Sequence, residues 1–295
     1  MAQLRIFSTT HRRLVAGWLA KAGRYRASIE PMCEQLGVPP DLIWVAAIES
    51  GYEPAARSGP GAVGLWQLMP ATGDQFELRR DDEVDERRDP WTAATAALTF
   101  LRTLHNRLGS WPLAFASYNA GPAYVRSQLL EENMTDFWQM AGRDVLYAES
   151  RRYAIRIIAL AIINRNRAAF GFEGVVDEEP ITFDAVPVPA HTPLATIADA
   201  ADTSIATLRS LNPALLQPVV PSGDPTWPLR VPRGSFAKVV DVIDDHPRAA
   251  DPPAFAEVWF GETLADVAAR VGIPARVLRR LNGVEEPDYG SQRLL

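Results

Sequence analysis

The chain has 295 residues, 47% of them hydrophobic and 22% charged, a balance that excludes a disordered chain and leaves room for one large or two modest domains. Its formal charge of −6 is uneven: 20 Lys/Arg face 19 Asp/Glu up to Val175 and 10 face 17 beyond it, so neither part offers the basic surface of a nucleic-acid binder. Cys33 is the only cysteine, which excludes an internal disulfide, and no Cys/His spacing points to a metal.

Residues 1–23 scatter charge through their length, so they read as neither a secretory signal nor a membrane-spanning helix. From about His11 to Gly171, apolar residues recur at three- and four-residue spacing. This predicts helices over 11–22, 25–36, 41–51, 70–76, 91–108, 111–119, 121–131, 135–140 and 148–169. Breakers fall between them at Gly37-Val38-Pro39-Pro40, Ser58-Gly59-Pro60-Gly61, Asp89-Pro90 and Gly109-Ser110. The composition shifts at Asp177-Glu178-Glu179-Pro180, which reads as a domain boundary.

Within 41–51, Asp41 is a natural N-cap and Gly51 a natural stop. Leu42, Val45, Ala46 and Glu49 fall at i, i+3, i+4 and i+7, so a carboxyl group shares an aliphatic stripe. Desolvation there favours the neutral acid and raises its pKa, the condition a general acid needs near neutral pH. The plainer alternative is a paired or capping Glu, which the macrodipole at a helix C-terminus disfavours. Downstream, residues 55–73 are glycine-rich, with Trp66 and Met69 as apolar contact area and Ser58 and Gln67 as neutral hydrogen-bonding groups. That composition suits a sugar-binding groove and equally suits a turn before a capped helix. The acidic run 81–86 reads as a solvated loop and Glu53 has left the helix, so no second catalytic carboxylate is identified.

Beyond residue 180 lies an internal repeat. Leu194-Ala195-Thr196-Ile197-Ala198 and Leu208-Arg209-Ser210-Leu211-Asn212 overlay Leu264-Ala265-Asp266-Val267-Ala268 and Leu278-Arg279-Arg280-Leu281-Asn282 at a constant offset of seventy. Short strands are expected before each copy, at 185–187 and 257–260, and apolar runs after each, at 229–232 and 293–295. Two helices on a two-stranded sheet bury such a pattern economically.

Five ordered motifs carry a family resemblance: Ile48-Glu49-Ser50, the stretch from Gly64 to Gly73, Asp85-Glu86-Arg87-Arg88-Asp89-Pro90, Ser117-Tyr118-Asn119-Ala120-Gly121 and Glu149-Ser150-Arg151-Arg152-Tyr153. The chain resembles the soluble and D-type membrane-bound lytic transglycosylases, whose catalytic domain is lysozyme-like and related to goose-type lysozyme. The repeat resembles LysM, a βααβ module that holds N-acetylglucosamine-containing glycans; its second copy, with Gly261-Glu262-Thr263-Leu264 and Leu281-Asn282-Gly283, matches better than the first. The resemblance implies a mainly α lysozyme-like catalytic domain followed by small α+β LysM-like modules. The expected divisions are a helical extension over 1–22, the catalytic domain over 23–175, a divergent module over 181–240 and a second over 254–295.

By the same resemblance Glu49 is the catalytic acid and then base. Ser50 shares its motif, Ser58 hydrogen-bonds its carboxyl, Gln67 and Met69 line the groove, Tyr118 and Asn119 hold the sugar, and Tyr153 approaches Glu49 from the last helix. The implied reaction cleaves the bond between N-acetylmuramic acid and N-acetylglucosamine and closes a 1,6-anhydro ring, with help from the substrate's 2-acetamido group. The implied partner is peptidoglycan, without nucleic acid or a membrane span in this chain, and the substrate places the protein in the bacterial envelope. A goose-lysozyme-like hydrolase and an inactive peptidoglycan-binding protein are the alternatives. Oligomeric state leaves no mark in the sequence.

Overall fold

The computed structural model describes residues 1–223, 226–245 and 262–271. They divide into two compact units, Met1–Asp81 with Asp85–Ile181, and Asp82–Val84 with the chain from Thr182 onward.

The first unit is helical: α1 (Ala2–Ser8), α2 (Arg12–Leu36), α3 (Ile43–Ser50), α4 (Pro70–Gln75), α5 (Pro90–Leu108), α6 (Trp111–Ala120), α7 (Pro122–Glu131), α8 (Phe137–Gly142) and α9 (Ala148–Arg165). Most stop signals are those of the sequence, but Asp41 is not the expected N-cap: it lies in a 3-10 turn over Pro40–Leu42 and pairs with Arg165, and α3 starts after Leu42. Asp89 accepts from the Trp91 and Thr92 amides ahead of Pro90, and Gly37, Gly51 and Gly109 end their helices in the left-handed conformation. α6 packs against both α5 and α9, and α3 against α9, around a core that includes Trp44, Trp66, Leu98, Phe137 and Leu160.

The largest departure from expectation lies near the N-terminus. Residues 11–22 and 25–36 are one continuous helix, α2, so the boundary expected between a 1–22 extension and a catalytic domain from 23 falls inside a helix and is corrected. Gly23 is not a breaker. A Cβ on it would overlap the Glu178 carbonyl oxygen, and the returning chain is fixed there by Glu178 N–H donating to the Ala20 carbonyl at 2.8 Å. Glycine at 23 therefore serves a close approach of distant backbone.

The second unit opens with β1 (Phe183–Pro189), α10 (Leu194–Ala200), α11 (Ile205–Leu211) and β2 (Thr226–Pro232), the expected βααβ order, followed by α12 (Phe236–Asp245). β1 and β2 are antiparallel, with Phe183 opposite Pro232 and Pro189 opposite Thr226. Val186, Val188, Leu229 and Val231 alternate inward and meet Leu194, Ile197, Leu208 and Val239. Val84 joins this core, and the Glu83 carbonyl accepts from the Leu216 amide at 2.8 Å. Of the second repeat, α13 (Leu264–Val271) is described; it begins seventy residues after α10, with Thr263 and Asp266 capping each other's amides at 3.2 and 2.8 Å. The strands expected at 257–260 and 293–295 and the Leu281-Asn282-Gly283 motif lie outside the described residues. An all-helical unit followed by an α+β one is the fold class the sequence implied.

Candidate active site

Glu49 sits in the last turn of α3, a helix whose other positions from Ile43 to Ala47 are buried. Gly51 and then Tyr52 take left-handed φ values of 62° and 64°, and their amides close back on Ala47 and Ala46, stopping the helix just after Ser50. Tyr52 is held by stacking on Tyr25 at 5.8 Å and by donating to the Ile43 carbonyl at 3.1 Å. The carboxyl of Glu49 therefore projects from a short, rigid element.

Among the described residues its one side-chain hydrogen-bond partner is neutral. The Tyr153 hydroxyl, brought from α9, donates to Glu49 Oε1 at 2.6 Å. Burial pushes the Glu49 pKa up from 4.5 to about 7, and the phenol's hydrogen bond, which favours the ionised form, pulls part of that rise back. The same burial, with the carboxylate's charge nearby, raises the phenols of Tyr153 and Tyr118 well above 10, so both remain protonated donors. A half-ionised carboxyl at neutral pH is suited to give up and recover a proton.

Beside it, residues 56–68 form a tight loop held by charge that Glu49 lacks. Arg87 and Asp85, both buried, are joined through Nε–Oδ1 at 2.9 Å and Nη2–Oδ2 at 2.8 Å, and Arg87 Nη1 also donates to the Gly61 and Leu68 carbonyls at 3.0 and 3.1 Å. Gly64, at φ 86°, packs so closely on this clamp that a Cβ would overlap the Arg87 carbonyl.

The loop explains the placement of the other expected residues. Tyr118 reaches the site from α6, lies close enough for the Glu49 charge to raise its phenol, and donates its hydroxyl to the Trp66 carbonyl at 2.8 Å. Met69 is 41% exposed, so it is not core. Asn119 is exposed at the end of α6, with its Oδ1 taken by the Ser150 hydroxyl at 2.8 Å, which leaves its amide donors outward.

Other expectations are corrected. Ser58 makes no hydrogen bond to Glu49; its Oγ accepts from the Ala62 amide at 2.9 Å and closes the turn. Ser50 turns from any ligand: it donates to the Leu65 carbonyl at 2.9 Å and accepts from the Glu53 amide at 3.1 Å, bracing α3 to the loop. Gln67, at φ 47°, folds its amide back onto the Ala56 and Gly64 carbonyls at 3.2 and 2.9 Å, which leaves only its carbonyl oxygen to offer. Trp66 is fully buried and donates to the Pro90 carbonyl at 3.3 Å, so it supplies core and no contact surface. These polar side chains satisfy backbone carbonyls and amides around the loop, a demand set by the tertiary turn.

Sequence reasoning gave no role to Ser150, which orients Asn119, although the motif containing it was in view. It also passed over Tyr147, 61% exposed and stacked flat on Tyr124 at 4.1 Å, three residues before Ser150.

Comparison with known proteins supplies a context for this geometry. Residues 28–141 match the family described as Transglycosylase SLT domain, 182–247 the Lytic transglycosylase MltD, LysM-like domain, and 257–288 the LysM domain. The chain is 26% identical over 278 residues to the membrane-bound lytic murein transglycosylase D of Escherichia coli, an alignment covering 89% of this chain and 60% of that protein. It is 36% identical over 107 residues, 36% of this chain and 52% of the other, to a putative tributyltin chloride resistance protein of Alteromonas. Among solved structures, the lytic transglycosylase Slt of Pseudomonas aeruginosa aligns with 26% identity and a TM-score of 0.42, over 52% of this chain and 25% of that one. The chain thus carries an SLT domain followed by LysM-type domains. The SLT match ends before Ser150 and Tyr153, which join the site through their hydrogen bonds alone.

Proposed function

We propose that this protein is a lytic transglycosylase of the bacterial envelope, cleaving peptidoglycan glycan strands between N-acetylmuramic acid and N-acetylglucosamine with Glu49 as the only acid-base group. The observation that carries the reading is a carboxyl raised to about 7 by burial and bonded to a neutral phenol. Protonated Glu49 gives its proton to the bridging oxygen as the bond from the muramoyl anomeric carbon to that oxygen breaks, and positive charge develops on the sugar ring. The carboxylate so formed is stabilised by the Tyr153 hydrogen bond while it waits. It then takes the proton of the muramoyl C6 hydroxyl, whose oxygen bonds to the anomeric carbon and closes the 1,6-anhydro ring. Atoms and charge balance without water, and Glu49 ends as it began.

Asn119, oriented by Ser150, and Met69 supply the polar and apolar contacts for the sugars, while Ser50, Ser58 and Gln67 act as positioning residues through the loop. The modules over 181–240 and 254–295 are assigned to glycan retention, where even weak binding raises the local concentration of substrate.

The test is digestion of purified sacculi with the products read by mass spectrometry. Anhydromuropeptides from the parent protein, and none from Glu49→Gln, are expected. Products ending in reducing muramic acid would mean hydrolysis, and equal digestion by both proteins would remove Glu49 from its role.

A further inference from the structure

A cavity of about 750 Å³ lies in the first unit between α5, α6, α7 and the turn at 133–135. Its volume is that of a small-molecule site. It belongs to a different face of α6 from the proposed sugar contacts, because Ser117, which lines it, and Asn119 are two residues apart and so point to nearly opposite sides of the helix.

Three features of its lining converge. Leu104, Leu129 and Met134 make the wall apolar. Arg107, from the last turn of α5, and Arg126, from α7, are exposed at it and have no acidic partner among the described residues. The Ser117 hydroxyl is wholly buried with no hydrogen-bond partner, an unfavourable state for a polar group. α7 adds to the positive character: it starts at the cavity with Pro122 and Ala123, and no side chain caps its first turn. Arg107 alone would be explained by the C-terminal dipole of α5, but Arg126 sits mid-helix on α7 and is not.

We propose that this cavity binds a single-chain amphiphile with an anionic head, a fatty carboxylate or an alkyl phosphate. Its head lies between Arg107, Arg126 and the start of α7, and its chain lies along Leu104, Leu129 and Met134. Guanidinium groups match both heads by paired hydrogen bonds, and the apolar wall excludes a purely polar anion. The site is independent of Glu49 and of the reaction proposed there.

Isothermal titration of the full chain with laurate, with dodecyl phosphate and with inorganic phosphate, each amphiphile below its micellar concentration, tests it. Saturable one-to-one binding of one or both amphiphiles is expected, with inorganic phosphate at least tenfold weaker; which amphiphile binds more tightly identifies the head. The Arg107→Gln/Arg126→Gln double variant, whose exposed positions leave the core intact, should lose at least tenfold in affinity at unchanged Tm. Absence of saturable binding by both amphiphiles, or an affinity unchanged in the double variant, overturns the proposal.

Discussion

Two acidic side chains of the first unit, the partly buried Glu49 and the buried Asp85, are treated in opposite ways. Asp85 is locked to Arg87 by two short charged hydrogen bonds, and the pair spends its remaining donors on the loop carbonyls of Gly61 and Leu68. Glu49 has a phenol for a neighbour and a pKa raised to about 7. A buried carboxylate clamped by a matched cation serves as scaffold; one without such a partner is driven toward neutrality and keeps a labile proton. The contrast is sharpest because the scaffold pair holds the very loop that meets Glu49 through Ser50 and Tyr118.

Substitutions at each carboxyl should therefore fail differently. Glu49→Gln should lower the rate of muropeptide release on the order of 10³-fold, with an unchanged circular dichroism spectrum. Asp85→Asn leaves Arg87 charged and unmatched in the interior, so urea denaturation should report a loss of about 3–5 kcal/mol. A variant that lost activity at full stability would break the assignment of Asp85 as scaffold.

Linkage separates the two further. The folded-state pKa of Glu49 lies above its unfolded value, so its favourable contribution is complete below pH 4.5 and is lost as pH rises through about 7. Glu49→Gln should then be more stable than the parent at pH 9, by up to roughly 3 kcal/mol, and no more stable at pH 4, as compared by denaturation at both pH values. Equal stability curves would mean that the carboxyl is not desolvated.

Tyr153→Phe removes the one interaction that lowers the Glu49 pKa. The basic limb of kcat/KM should move to higher pH, with about a tenfold loss in kcat as the carboxylate interval loses its donor. The smallest effect is expected at Ser150→Ala, which frees Asn119 to rotate. KM should rise about fivefold with kcat little changed, the cost of one hydrogen bond.

The parts of this arrangement that could be read from sequence are those set by neighbours along the chain. The stripe of Leu42, Val45, Ala46 and Glu49, the stop at Gly51 and the break at Asp89-Pro90 are local, and the structure has them where the spacing put them. The break expected between residues 22 and 25 is absent because the reason for glycine at 23, contact with the backbone at 178, lies 155 residues away. Ser50, Ser58 and Gln67 look like ligand-binding groups because they are polar and lie near Glu49 in sequence. Their partners are backbone groups of a folded loop, which no spacing rule reveals. Tyr153 was the one distant partner reached correctly, and it was reached through resemblance; residue periodicity alone does not join α9 to α3.

The most direct measurement is a carbon-13 NMR titration of the Glu49 side-chain carboxyl, assigned by the signal missing from Glu49→Gln. The account predicts a midpoint near pH 7, moving upward in Tyr153→Phe. A midpoint at the ordinary glutamate value of about 4.3 in the parent protein would contradict it.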